Sequence, residues 1–355
     1  MKKHLIAITA LAATSFFAGM TAQAAEDRIH IVGSSTVYPF ASYVAEEFGQ
    51  TTNFNTPVIE STGSGGGMKL FCAGNGMDTP DITNSSRRIK DKELKLCNEN
   101  GVEDITEIVI GFDGIAIAQS KTNKAVNFTR KQILLAVAAE VPNKAGTALI
   151  ANPYKYWNEI DASLPHRPII FYGPPTSSGT RDAFEDLVMK SLTKKMDVYT
   201  NLYKKDEKAN KKYKKYKTIR TDGVYVPAGE NDNLIVQKLL TNEDAFGIFG
   251  YSFLEENSDR VSAATVEGVT PAPAAISSGK YPVSRSLFFY IKNDHLKKVK
   301  GMSEYVKLFI DEKMIGDDGN LTEIGLIALP EKNRNEIRAR FAKHTKLTLE
   351  DLKNK

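Results

Sequence analysis

The sequence predicts an α/β fold with mostly parallel strands, arranged as two lobes with a cleft between them. Short apolar runs alternate with longer amphipathic segments, a pattern typical of βα units. The chain has 355 residues, which exceeds the roughly 250 to 300 residues at which a single hydrophobic core usually stops growing. Two apolar segments, 114–119 and 245–253, flank a middle region with its own βα pattern. We therefore expect these segments to be the strands that cross between the lobes.

The elements of the first lobe follow from the period of the apolar residues. Strands are predicted at 28–32, at 56–60 and, as near-continuous apolar runs, within 105–118; helices are predicted at 38–48 and from 67 to 72. In the middle region the same patterns predict helices at 129–139, 180–189 and 233–240 and a strand at 168–172. Residues 190–220 are rich in lysine and tyrosine, and we interpret them as a solvated, partly helical surface insertion rather than a nucleic-acid or lipid site.

The N-terminal segment predicts export. Lys2 and Lys3 precede an apolar run from 5 to 20, and residues 22–24 supply the small residues that a signal peptidase requires. The alternative, a membrane anchor, is disfavoured because the run is shorter than the ~20 residues that span a bilayer. We therefore expect residues 1–24 to be a cleaved signal peptide. No later segment is apolar enough to span a membrane, and the net charge of +4 gives no general reason to expect nucleic acid as a partner.

The two cysteines, Cys72 and Cys97, are interpreted in the light of export. In an oxidising compartment, two thiols that flank a polar loop favour a disulfide over a metal or redox site. The five histidines have no paired spacing, so neither a metal nor a cofactor is expected.

Four loops rich in Ser, Thr and Gly stand where strands meet helices, at 33–36, 61–67, 84–88 and 176–181. Glycine lets backbone N–H groups approach a ligand, a helix N-terminus offers free donors, and hydroxyl groups add more. Each loop alone indicates only a helix cap, but together they predict an anion site. An enzyme is disfavoured because Ser64 and Ser178 lack the G-x-S-x-G pattern and no histidine stands near either to act as a base.

The order and spacing of these motifs resemble the phosphate-binding proteins of bacterial phosphate ABC transporters. The resemblance rests on 33–39, 61–67, 84–87, 111–114 and 178–184, and it extends from about residue 29 to 330. It implies a two-lobed periplasmic binding protein of type II with a double-strand hinge, which closes over one phosphate and delivers it to a membrane permease. The expected division is 25–114 plus 254–355 for the first lobe and 115–253 for the second. The expected protein is monomeric, non-enzymatic and periplasmic.

The resemblance also implies which residues contact phosphate. These are Ser35, Thr36, Val37 and Ser64 in the first lobe and Ser178, Gly179 and Thr180 in the second. Better-known members carry an arginine where this chain has Pro174 and an aspartate where it has Ser86. We therefore expect Arg87 to supply the positive charge and Asp113 the acidic group, with Arg181 and Asp182 as the next candidates. The alternatives are a receptor for sulfate, molybdate or tungstate, and a secreted serine hydrolase.

Overall fold

The computed structural model describes residues 28–208, 215–229 and 232–353. The predicted signal peptide and part of the lysine-rich insertion lie outside the described residues. Within the described chain, the largest sheet has nine strands and is accompanied by two small two-stranded sheets. The mixed α/β architecture predicted from the alternating pattern is confirmed.

The strands, in chain order, are β1 (His30–Gly33), β2 (Val58–Ser61), β3 (Ile82–Ser85), β4 (Ile105–Ser120), β5 (Asn127–Phe128), β6 (Glu140–Pro142), β7 (Leu149–Ala151), β8 (Phe171–Gly173), β9 (Tyr225–Pro227), β10 (Phe246–Gly250), β11 (Val261–Ala263), β12 (Thr265–Val266) and β13 (Ser284–Lys292). The region predicted as strands at 105–118 is thus one strand of 16 residues.

The helices, in chain order, are α1 (Tyr38–Thr51), α2 (Gly63–Phe71), α3 (Asp91–Glu99), α4 (Arg130–Val137), α5 (Trp157–Ile160), α6 (Gly179–Phe184), α7 (Ser191–Thr193), α8 (Asp197–Lys208), α9 (Asn233–Thr241), α10 (Tyr251–Glu256), α11 (Pro273–Ser277), α12 (Met302–Phe309), α13 (Glu312–Ile315), α14 (Asn320–Glu323), α15 (Glu331–Ala342) and α16 (Leu349–Lys353). A π-helical segment, Glu185–Lys190, joins α6 to α7. Because α2 begins at Gly63, most of the loop predicted at 61–67 is the first turn of a helix. Among the described residues, no helix combines the length and apolar character needed to cross a membrane.

The sheet is shared by two hydrophobic cores. In the first, β2, β1 and β3 are parallel neighbours, and β13 pairs antiparallel with both β3 and β4. The apolar face of α1 packs there with α12 and β13, for example Phe48 with Tyr305 and Phe289 with Phe309. In the second core, β10 pairs with the other half of β4 and with β8, and aromatic rings fill the space beneath.

Two strands cross between the cores, and only one of them was predicted. β4 contributes to both cores, as 114–119 predicted. The prediction that 245–253 also crosses is wrong: β10 pairs within the second core and the chain then enters α10. The other crossing strand is β13, which pairs with β4 from Lys292 opposite Ile105 to Ser284 opposite Gly114. The segment β11 to residue 283 packs with the second core, through Val266, Tyr281 and Val283.

The predicted disulfide is confirmed. Cys72 directly follows α2, Cys97 lies in α3, and the two are bonded across a sequence separation of 25 residues. Both cysteines are completely buried in a small cluster with Met68, Phe71 and Leu94. The bond therefore fixes α2, which carries one of the polar loops, against α3.

Candidate anion-binding site

The polar loops of the first lobe meet because three parallel strands end at one edge of the sheet. Gly33 pairs with Ser61 and with Asn84, so the loops that follow β1, β2 and β3 start side by side. In open α/β sheets, this carboxyl edge is where ligands bind. Gly33 has φ +133°, and a Cβ on it would lie 2.1 Å from the Asn84 carbonyl oxygen. Only glycine permits this approach.

The loop at the start of α1 presents donors of two kinds. The backbone N–H groups of Thr36 and Val37 point at the Oγ of Ser34, at 3.2 and 3.4 Å. Thr36 also offers its hydroxyl group, as does Ser35. The side chain of Val37 is completely buried in the first core, so this predicted residue can contribute only its backbone amide.

Ser64 lies in the first turn of α2, where its hydroxyl meets the turn after β3. Its Oγ accepts a hydrogen bond from the Ser86 N–H at 3.0 Å and lies 3.1 Å from the Ser86 Oγ. The structure thus brings the second and third polar loops together, as the anion-site prediction requires. In this arrangement the Ser64 hydroxyl is engaged by Ser86.

The loop of the second lobe contacts the first loop directly. Ser178 caps α6, accepting a hydrogen bond from the Thr180 N–H at 3.2 Å. Across the cleft, the Thr36 hydroxyl donates to the Gly179 carbonyl at 3.1 Å, and the Ser35 hydroxyl donates to Oδ2 of Asp182 at 3.1 Å. The described arrangement is therefore one in which the two lobes touch at the predicted site.

A cleft of about 500 Å³ opens beside these contacts. Six of the predicted residues line it, namely Ser35, Thr36, Asp113, Ser178, Gly179 and Thr180. Ser61, Asp232, Gly250 and Ser252 also line it and were not predicted as ligands.

Asp113 lies at the base of the cleft beside Arg285, a residue that the sequence analysis missed. The two face each other in the register of β4 and β13, with 3.6 Å between Arg285 Nε and Asp113 Oδ2. Both side chains are nearly buried, with 13% of Asp113 and 10% of Arg285 exposed. Burial raises the pKa of the Asp113 carboxyl above its ordinary value, and the Arg285 guanidinium acts in the opposite direction.

The two arginines that were predicted for the site bind carboxylates elsewhere. Arg87 forms two hydrogen bonds to Glu93, from Nη1 at 2.8 Å and from Nη2 at 2.7 Å. Arg181 donates from Nε to Glu185 at 2.8 Å and lies over the ring of Tyr225. The structure thus brings neither guanidinium into the cleft. The guanidinium next to the cleft is instead that of Arg285. Its Nη2 donates to the Thr36 hydroxyl and, at 3.5 Å, to the Gly179 carbonyl.

Residues 19–314 match the model of the PBP superfamily domain. The chain belongs to the PBP superfamily. Protein SphX of Synechococcus elongatus is 29% identical over 340 residues, which cover 94% of this chain and 86% of that protein. The phosphate-binding protein PstS of Staphylococcus saprophyticus is 29% identical over 309 residues, covering 86% of this chain and 81% of that one.

A solved structure with a high degree of similarity supports the two-lobed fold. A possible phosphate binding protein from Planctomyces limnophilus superposes with a TM-score of 0.70 and 29% identity, covering 90% of this chain and 98% of that chain. The two-lobed binding-protein fold that the motif resemblance implied is therefore confirmed.

Proposed function

We propose that this protein binds inorganic phosphate between its two lobes and delivers it to an ABC permease in the membrane. The observation that carries the proposal is the convergence of polar loops from both lobes on one cleft whose base holds a buried carboxyl group, Asp113. The names of its relatives, a phosphate-binding protein among them, agree with this assignment.

The chemistry of the cleft suits a partly protonated oxyanion. Ser35, Thr36, Ser178 and Thr180 supply hydroxyl groups, and two helix N-termini supply backbone donors. Phosphate at neutral pH carries at least one proton, which Asp113 can accept in a hydrogen bond, whereas sulfate carries none. A buried carboxylate beside the anion therefore favours phosphate over sulfate.

We propose that the lobes are 25–114 with 284–355, and 115–283. The expected boundary at 253 is moved because β11, β12 and α11 belong to the second core. β4 and β13 would then form the hinge, and closure of the lobes over the anion would be the functional motion. The proposed protein acts as a monomer outside the cytoplasmic membrane, after removal of residues 1–24, and performs no catalysis.

Calorimetric titration of the purified mature chain tests this proposal. Phosphate should bind at one site per chain, whereas sulfate and molybdate should bind far more weakly. If sulfate, molybdate or tungstate binds more tightly than phosphate, the assignment of phosphate as the ligand is wrong. Hydrolysis of aryl phosphates or esters that is lost in Ser64→Ala would contradict the non-enzymatic role.

A further inference from the structure

Beside the cleft, two buried polar atoms have no hydrogen-bond partner among the residues that the structure describes. They are Nε of Arg285 and Oδ2 of Asp113, which stand 3.6 Å apart, beyond the range of a good hydrogen bond. Buried polar groups in native proteins are almost always satisfied, and each exception calls for an explanation. Asp113 itself lines the cleft, and Arg285 lies opposite it on the adjacent strand, hydrogen-bonded to the lining residue Thr36.

We propose that Arg285 is the positively charged residue that pairs with the bound anion, and that Asp113 holds its guanidinium in place. This inference rests on the proposed function, because it assigns a residue to the same site. It replaces Arg87, the residue that the family resemblance implied.

The hydrogen bonds of the three candidate arginines favour Arg285. Arg87 already forms a two-point contact with Glu93, and Arg181 is engaged by Glu185 and Tyr225. The hydrogen bonds that Arg285 makes to described residues use Nη2 alone. Its remaining N–H groups keep the planar fork that matches two oxygens of a phosphate.

The neighbours of Arg285 come from every part of the proposed hinge and cleft. It lies on β13, Asp113 lies on β4, Thr36 belongs to the first lobe and Gly179 to the second. An anion bound to Arg285 is therefore close to both lobes and to both of the strands that cross between them. Because Asp113 is on a paired strand, the guanidinium stays oriented when the lobes separate, which lowers the entropy cost of binding.

Phosphate titration of matched arginine variants tests the inference. Arg285→Gln should weaken phosphate binding by about 100-fold or more, the range expected when one partner of a buried charge pair is removed. Arg285→Lys should recover part of the affinity, since it keeps the charge but loses the two-point geometry. Arg87→Gln should have a far smaller effect. Arg260→Gln, which removes a charge from a half-exposed side chain outside the cleft lining, is the matched control.

The variants also need a control for folding, because Arg285→Gln leaves the buried Asp113 without its counter-charge. The double variant Asp113→Asn/Arg285→Gln removes both charges, so its melting temperature should be close to that of the wild type. Its phosphate affinity should nevertheless remain far below that of the wild type.

The outcomes separate the two proposals. A wild type that binds no phosphate overturns the proposed function and this inference with it. A wild type that binds phosphate, together with Arg285 variants that bind it equally well, overturns only the role of Arg285. A larger loss in Arg87→Gln than in Arg285→Gln restores Arg87 as the charged residue of the site.

Discussion

Gly179 of the second lobe lies directly against the backbone of Thr36 of the first. A Cβ built on Gly179 would stand 2.6 Å from both the N and the Cα of Thr36, a distance that real Cβ atoms essentially never show. The obstacle is backbone, which cannot move aside as the end of a long side chain can. Contact between the lobes at this point therefore depends on glycine at position 179.

The first prediction follows from this contact. Gly179→Ala should prevent full closure, lower phosphate affinity by about 10-fold or more and leave each lobe folded. Calorimetry would measure the affinity, and small-angle scattering at saturating phosphate should give a larger radius than for the wild type. Gly74→Ala is the matched control, because Gly74 lies outside the polar loops and the nearest atom to its added Cβ, in the side chain of Thr79, is 3.9 Å away. Wild-type affinity in Gly179→Ala would contradict the described contact.

The second prediction concerns Asp113 and the choice between phosphate and sulfate. Asp113→Asn should lower the ratio of phosphate affinity to sulfate affinity, by up to ~10⁴-fold, because the amide has no negative charge and can donate a hydrogen bond to sulfate. In the wild type, the raised pKa of the Asp113 carboxyl means that it takes up a proton at a higher pH than an ordinary aspartate. Sulfate exclusion should therefore weaken as the pH falls.

Titrations with both anions over a pH series check this prediction. The preference of Asp113→Asn should change little with pH once the ionisation of phosphate itself is allowed for. If the wild type and the variant exclude sulfate equally well, Asp113 is not the carboxylate that selects phosphate over sulfate, and Asp182 is the next candidate.

The third prediction concerns the bond between Cys72 and Cys97. Cross-linking across 25 residues should stabilise the folded chain by about 3 kcal/mol through its effect on the unfolded state. Cys72→Ala/Cys97→Ala should therefore unfold at lower urea concentration than the oxidised wild type. A reducing agent should destabilise the wild type and have no effect on the variant. Unchanged stability of the wild type after reduction would argue against this contribution.

The fourth prediction concerns Lys292, whose amine is buried and donates to the Gly74 carbonyl at 2.7 Å and to the Thr79 hydroxyl at 2.6 Å. Burial lowers its pKa from 10.5 to about 8. Between these two values the unfolded chain binds more protons than the folded one, so this group makes the free energy of unfolding rise with pH. The rise should be complete near pH 10.5 and absent below pH 8.

Lys292→Met isolates this effect. Urea unfolding at pH 7, 8, 9 and 10 should give a difference, wild type minus variant, that is constant up to about pH 8 and then increases in favour of the wild type. A difference that stays flat or decreases over this range would show that the folded amine keeps its proton.

Much of the fold follows from local patterns in the sequence. α1 begins at the predicted Tyr38. β4 covers the predicted apolar region because its isoleucines, Ile108 and Ile110 on one side and Ile115 and Ile117 on the other, are buried in the two cores. The missed crossing strand, β13, shows the limit of such patterns. Residues 284–292 hold five hydrophobic residues in nine, against six in 245–253, so composition alone favours the wrong segment. Long-range pairing with β3 and β4 identifies the strand that crosses.

The site likewise has a part that the sequence predicts and a part that it does not. Its polar loops were predictable because Ser, Thr and Gly at strand ends carry a local signal, and six of the predicted residues line the cleft. Arg285 carried a weaker signal, a single arginine near the start of an apolar strand. Its partnership with Asp113 depends on the register between two strands separated by more than 160 residues, which no local pattern encodes. Arg87 had the expected neighbours in sequence, but Glu93 in the first turn of α3 engages it.

The position of β13 between β3 and β4 also determines the order in which the lobes can form during synthesis. The second core is nearly complete once residue 283 is available, because all of its buried residues except Ile327 come from the stretch 115–283. The first sheet lacks a central strand until residue 292 has been added. Domains generally fold as units, the N-terminal one first, but here the lobe that begins the chain is the last to receive all of its strands.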